Sequence, residues 1–140
     1  MKESKRIKYQ KGFKYQLIHD VQFNVDIFPA EPIETPFIEL RPSGDFTIYK
    51  GYAWDGPSGP TIDTPNFMRG SLVHDALYQL MRLEKLSLDY KTQADAELKR
   101  CCLADGMSAL RTWWVIRGLY RFGTSATLPK NKKDTLIAPH

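Results

Sequence analysis

The stretch Tyr52-Ala-Trp-Asp-Gly-Pro-Ser-Gly-Pro-Thr61 divides the chain into two styles of sequence. It holds two glycines and two prolines in ten residues. Proline lacks the amide that a helix interior or a central strand needs, so neither fits. The stretch reads as an ordered loop or a linker. Tyr52 and Trp54 argue for order, because solvated linkers rarely carry large aromatics.

Upstream the pattern is that of strands. Lys14–Phe28 carries Tyr15, Leu17, Val21, Phe23, Val25 and Ile27, and from Val21 to Ile27 apolar and polar residues strictly alternate. A period of two is the mark of a half-buried strand. Pro29, Pro32 and Pro36 interrupt it. Phe37–Leu40 and Phe46–Tyr52 predict a second strand pair, joined by the turn Arg41-Pro-Ser-Gly-Asp45.

Downstream the pattern is helical. Thr64 suits an N-cap, and Pro65 suits the first helical position. Phe67, Leu72 (or Ser71), Asp75, Tyr78 and Arg82 then recur on related faces at helical spacing. Leu83–Leu88 makes a short connection. Asp89–Ala104 predicts a second helix with Ala94, Leu98, Cys101 and Cys102 on its inner face, stopped by Asp105-Gly106. Met107–Phe122 predicts a third, with Leu110, Trp113, Trp114, Ile116 and Leu119, ended by Gly123. The expectation is one α+β domain over residues 1–123: a β half at about 7–53, a loop at 54–63 and helices at about 64–123. In it a small antiparallel sheet and hairpin precede an antiparallel helix pair, on which a third helix packs. Residues 124–140 read as an extended C-terminal tail.

Composition agrees with one modest core. The chain has 140 residues, 42% of them hydrophobic and 26% charged, which suits a single globular domain. No run of about 18 apolar residues predicts a membrane-spanning helix. The charged start Met1-Lys-Glu-Ser-Lys-Arg6 leads into no apolar stretch, so no cleaved secretion signal is expected. The net charge of +4 is dispersed, with small concentrations at Lys2–Lys14 and Lys130–Lys133 that read as solvated tails. A specific nucleic-acid partner is not expected from it. Cys101 and Cys102 are adjacent, and a bridge between neighbours is strained. They read as core thiols of a chain made in a reducing compartment.

The residues that carry chemistry lie between Trp54 and Asp95. His74 and Asp75 are consecutive, so on a helix they point about 100° apart and serve different neighbours. Tyr78 follows His74 by four and shares its side. Burying Asp75 without a counter-charge would cost several kcal/mol. Two answers are open: a metal ion, or a salt bridge to Arg69, Arg82 or Lys99. Hard cations such as calcium take six to eight oxygens, many from backbone carbonyls. The loop Trp54–Pro60 can supply carbonyls, and Asp55 is either a second carboxylate or an Asx-turn residue. No histidine or thiolate stands at zinc spacing.

A turn centred near residues 84–85 makes the first two helices antiparallel, so positions equidistant from it face each other. His74 and Asp95 are such a pair. A carboxylate on one imidazole nitrogen fixes the tautomer and leaves the other nitrogen as a base for water. A cation beside that water would stabilise the oxyanion formed on attack at an ester. Elsewhere, His19 reads as a surface residue of a strand. Trp113-Trp114 with Arg111, Arg117 and Arg121 fits either an interfacial helix on anionic lipid or a core-packed helix with solvated arginines.

The run Trp54-Asp-Gly-Pro-Ser-Gly-Pro60, followed by His74-Asp-Ala-Leu-Tyr78, resembles the phospholipase A2 superfamily, whose signature is a Gly-rich calcium loop and a helix bearing His-Asp-x-x-Tyr. More of the chain, the β half included, is similar to a family of short phage and prophage proteins of unassigned function. These share an Asp-Gly-x-Ser-x-Pro loop and a His-Asp-x-x-Tyr helix. The resemblance implies that His74 is the base, oriented by Asp95 and buttressed by Tyr78. It implies calcium held by Asp75 and by loop oxygens near Trp54, Gly56 and Ser58, with Asp55 as a further ligand. The activity implied is a calcium-dependent ester hydrolysis of phospholipase A2 type on membrane phospholipid. The protein would be phage-encoded, made in the host cytoplasm, and carried on the virion or released on lysis. Two other classes fit the same residues: a non-enzymatic phage structural or tail-associated protein, and a peptidoglycan or peptide hydrolase.

Overall fold

Alternation governs the first part of the chain. Val21, Phe23, Val25 and Ile27 are all buried, while Asn24, Asp26 and Phe28 are exposed. The computed structural model describes residues 9–10, 15–54 and 65–113. They belong to two compact units, one within Met1–Asp55 and one within Gly56–Lys132, where the sequence suggests one domain over 1–123. Antiparallel sheets followed by packed helices make the fold α+β.

Among the described residues the β unit has seven short strands: β1 (Tyr9–Gln10), β2 (Tyr15–Leu17), β3 (Val21–Asn24), β4 (Ile33–Glu34), β5 (Ile38–Leu40), β6 (Asp45–Ile48) and β7 (Ala53–Trp54). One sheet has the order β3-β6-β5-β4 and the other β1-β2-β7, and every pairing is antiparallel. In the larger sheet Phe46 stands between Phe23 and Leu40, and Ile48 between Val21 and Ile38. All six are fully buried. Such cross-strand apolar pairs are the unit of sheet stability. The expected hairpin closes through Gly44 N–H donating to Arg41 O and Arg41 N–H to Asp45 O, both at 2.9 Å. Gly44 has φ +90, and a Cβ there would lie 2.4 Å from Val25 O, so no larger residue fits.

Three details depart from the sequence reading. Lys14–Phe28 breaks at Ile18–Asp20, and its two strands join different sheets. The Asp20 carboxylate there accepts the Lys50 amide at 2.7 Å, which takes a donor out of the ladder. Second, Ala53 and Trp54 are strand rather than loop. Two residues suffice because β7 lies at a sheet edge, and the buried Trp54 ring packs against Tyr15 with centroids 5.6 Å apart. Third, β4 is held between Pro32 and Pro36, again at an edge where proline is tolerated. His19 is half-buried at the bend.

The helical unit contains α1 (Pro65–Arg82) and α2 (Lys91–Ala104). Helix α1 begins at Pro65, as its pre-set φ suggests. It ends with Leu83 N–H donating to Gln79 O and Lys85 N–H to Leu80 O, with Glu84 at φ 60. A non-glycine residue there costs about 1 kcal/mol or more. The second helix is expected from Asp89, but its first turn is a 3₁₀ segment, Leu88–Tyr90, capped by the Ser87 hydroxyl, which accepts the Asp89 amide. From Met68 to Arg82 every residue except Asp75 is buried. On α2 the buried positions are Ala94, Asp95, Glu97, Leu98, Cys101 and Cys102.

The two helices approach closely at Gly70. A Cβ there would lie 2.8 Å from Leu98 Cδ1, 3.1 Å from Cys102 Sγ and 3.2 Å from Leu98 O. Gly106, at φ +94, reverses the chain after α2. The Asp105 carboxylate before it accepts both bonds of Arg69 Nε, at 3.0 and 3.2 Å. Residues 109–113 are helical, with Thr112 buried and Leu110 and Trp113 exposed at 68% and 51%. The rest of the expected third helix, including Trp114, Ile116, Arg117, Leu119 and Arg121, and the tail 124–140 lie outside the described residues. Among the described residues no helix is long and apolar enough to cross a membrane.

Candidate functional site

Helix α1 sends Gly70, His74 and Tyr78 down one side at intervals of four, and α2 answers in antiparallel order. Gly70 meets Leu98, and His74 meets Asp95. His74 Nε2 lies 2.7 Å from Asp95 Oδ1. The Tyr78 hydroxyl donates to the same oxygen at 2.5 Å. Lys91 Nζ donates to the other, Oδ2, at 3.1 Å. The imidazole and phenol rings are 4.0 Å apart at 42°. The Asp95 side chain is 2% exposed and that of His74 is 10%.

Two opposing effects set the charge of Asp95. Burial pushes its carboxyl upward. Hydrogen bonds from His74 and Tyr78, the charge of His74 and the bond from Lys91 outweigh burial and hold it below its ordinary 3.8. Asp95 is therefore a carboxylate at neutral pH. A carboxylate only accepts, so the nitrogen facing it, Nε2, carries the hydrogen. When the ring is neutral, Nδ1 holds the lone pair, and no hydrogen bond to it is present among the described residues. In that form Nδ1 is able to accept a proton.

Asp75 points elsewhere, as adjacency to His74 demands. Its side chain is partly exposed, and Oδ1 lies 3.8 Å from a terminal nitrogen of the buried Arg82. Arg82 Nε donates to Gln79 Oε1 at 2.8 Å. Of the cations in sequence reach, Arg82 thus lies beside Asp75; Arg69 pairs with Asp105, and Lys99 is exposed. The hard oxygens of Asp75 are of the type calcium takes, and the guanidinium would compete with such an ion for the same charge. Asp55, Gly56 and Ser58 lie outside the described residues, and Trp54 sits buried in β7. Among the described residues no group of three or more His, Cys, Asp or Glu side chains could hold a metal ion.

Lys91 is the member of the cluster that sequence reasoning missed. Its signal was present: Lys91 and Asp95 are four apart on one helix, the spacing of a side-chain ion pair. Comparison with protein-family models, with curated proteins and with solved structures finds no match to this chain. The functional reading therefore rests on the geometry and on the sequence motifs.

Proposed function

We propose that the helical unit carries a histidine–aspartate hydrolase centre that activates water at His74 Nδ1 for attack on a phospholipid ester. The observation that supports it is the 2.7 Å contact between His74 Nε2 and the buried Asp95 carboxylate. In this reading a water molecule gives its proton to Nδ1 as its oxygen bonds to the ester carbon. The imidazolium so formed is stabilised by Asp95 across Nε2. The same proton then passes to the departing alkoxide. Tyr78 bonds to Asp95 and packs against the imidazole, which fixes the plane of both. Calcium held through Asp75 would supply positive charge for the oxyanion. The choice of a membrane ester, and of a phage protein as its bearer, rests on the resemblance of the loop and the His-Asp-x-x-Tyr helix to their families.

Purified protein mixed with phospholipid vesicles at millimolar calcium should release fatty acid. His74→Ala should abolish the release while circular dichroism keeps its helical signal. Absence of release by the wild-type chain at every calcium level would overturn the reading.

A second reading has its own support. Asp95 accepts three bonds and faces one cation, and a fully satisfied carboxylate can also simply tie two helices together. A non-enzymatic phage structural or tail-associated protein would need no more. Copurification with capsid or tail components, without ester turnover, would favour it. A peptidoglycan turbidity assay tests the remaining substrate class.

A further inference from the structure

We infer that the outward surface around the C-terminal end of α2 docks on an anionic phospholipid membrane, with Leu103, Leu110 and Trp113 entering the interface and Lys99 and Arg100 facing the headgroups. As a route for lipid to the site this rests on the hydrolase reading above. Docking itself is measured without turnover.

Single exposed hydrophobic residues are ordinary on any protein. Among the described residues six large ones are exposed, and three of them, Leu103, Leu110 and Trp113, fall between positions 103 and 113. Leu103 stands in the last turn of α2. The chain reverses at Gly106, whose amide donates to Leu103 O at 3.2 Å. In the helical residues 109–113, Leu110 and Trp113 are three apart and share a side. Thr112 between them is buried, and its hydroxyl donates to Ser108 O at 2.9 Å. All three apolar side chains are therefore presented outward around one end of α2.

Charge is sorted on the same surface. On α2, Ala96, Lys99, Arg100 and Leu103 are exposed and recur at spacings of three and four, so they form one stripe. Between Lys91 and Trp113 the exposed charges are Lys99 and Arg100, both positive. The carboxylates of that stretch are engaged within the unit: Asp95 by His74, Tyr78 and Lys91, Glu97 by Arg100, and Asp105 by Arg69. Lys99 carries the larger share of the outward charge, since Arg100 also bonds Glu97. At the opposite end of the helix pair the exposed Leu88 has the exposed acids Glu84 and Asp89 for neighbours, beside Lys85.

Apolar side chains beside cations, away from exposed carboxylates, match the water–lipid boundary of an anionic membrane. Tryptophan and leucine enter among the upper acyl chains, and lysine and arginine lay their stems along the boundary with the charge at the phosphates. A second copy of the same surface would bring like charges together. Asp95 stands eight residues before Leu103, about 12 Å along the helix, so the docked end lies close to the His74 site.

The test uses the full chain and vesicles of ether-linked lipid, which has no ester to cleave. Wild-type protein should sediment with vesicles of equal parts phosphatidylglycerol and phosphatidylcholine, and about tenfold less with phosphatidylcholine alone. Leu110→Ser combined with Trp113→Ser alters exposed side chains and should lower binding by about tenfold or more. Lys99→Gln should lower it about fivefold on the anionic vesicles and leave the neutral ones unchanged. It covers the case in which the double variant loses its circular dichroism. Leu88→Ser, at the other end, should bind as the wild type does. No sedimentation by the wild type, undiminished binding by the folded double variant, or an equal loss in Leu88→Ser would overturn the inference. So would dimers in sedimentation velocity that Trp113→Ser dissolves while vesicle binding stays the same; the surface would then join copies of this chain.

Vesicle binding without fatty-acid release from ester lipid would sink the hydrolase reading and leave docking standing. Release, with vesicle binding indifferent to Leu110, Trp113 and Lys99, would do the reverse.

Discussion

Strands β3, β6 and β5 and the helices α1 and α2 are both antiparallel pairings, yet they fill their interfaces in opposite ways. The sheet stacks Phe23, Phe46 and Leu40 across one face with no charge among them. The helix pair begins in the same manner, with Gly70 closing on Leu98 and Cys102. One turn further on it carries His74, Asp95, Tyr78 and Lys91. The sheet face and the Gly70 crossing close on apolar side chains with no charged pair among them. Burying a carboxylate is costly unless every lone pair is used. Substitution can test whether the polar stack is an addition to the fold or part of what ties the two helices together.

The largest effect is expected in the sheet. Phe46→Ala removes the centre of the apolar ladder and should cost about 3–5 kcal/mol, the usual range for such cavities, read by urea denaturation. A cost below about 1 kcal/mol would mean that the ladder is not a core in the sense argued. His74→Ala should cost less, about 1–3 kcal/mol, the penalty for leaving a buried partner short of a bond. If it costs as much as Phe46→Ala, the contrast between the two interfaces fails.

Acid should distinguish them as well. The folded Asp95 carboxyl lies below 3.8, the value of the free group. As pH falls, the unfolded chain takes up that proton first, so the unfolded state gains. The stabilisation from Asp95 is complete above the unfolded value and is lost as pH drops through the lower, folded one. Unfolding free energy measured from pH 6 downward should therefore decline below about pH 4. Asp95→Asn should flatten the part of that decline that belongs to this site. An identical acid slope in the variant would show that other carboxylates carry all of it.

Gly70→Ala is expected to cost about 1–2 kcal/mol, the lower part of the overpacking range. The nearest atom to the new Cβ is the mobile end of Leu98, but its backbone oxygen also lies at 3.2 Å. Tyr78→Phe should have the smallest effect, about 1 kcal/mol, because Asp95 keeps two other donors.

Local pattern made much of this legible. The alternation from Val21 to Ile27, the glycine turn before Asp45 and the proline at position 65 each act through neighbours in sequence; the turn and the helix start lie where their signals are, while the strand ends at Asn24 and only the alternating burial runs on to Ile27. The facing of His74 and Asp95 was readable by counting outward from the turn, since a short connection leaves two helices one way to lie. What escaped depends on distant partners. Strand β7 has two residues and exists only through β2. The break before Val21 coincides with a bond from the Lys50 amide to the Asp20 carboxylate, thirty positions away. Asp75 had three cations within reach, and nothing local selects Arg82. Lys91 resembled an ordinary surface lysine until the burial of Asp95 gave it a purpose.

The tight crossing at Gly70 has a practical use. Cys101 and Cys102 are both buried, and burial first, then the neighbouring Cys101 and Asp105, push the Cys102 thiol up to about 12. A thiol so far from ionising does not react with alkylating agents at neutral pH while α1 covers it. Mass-spectrometric counting of modified cysteines over time would therefore clock how often the helices part. The chain carries a built-in stopwatch for its own opening, with no added dye required.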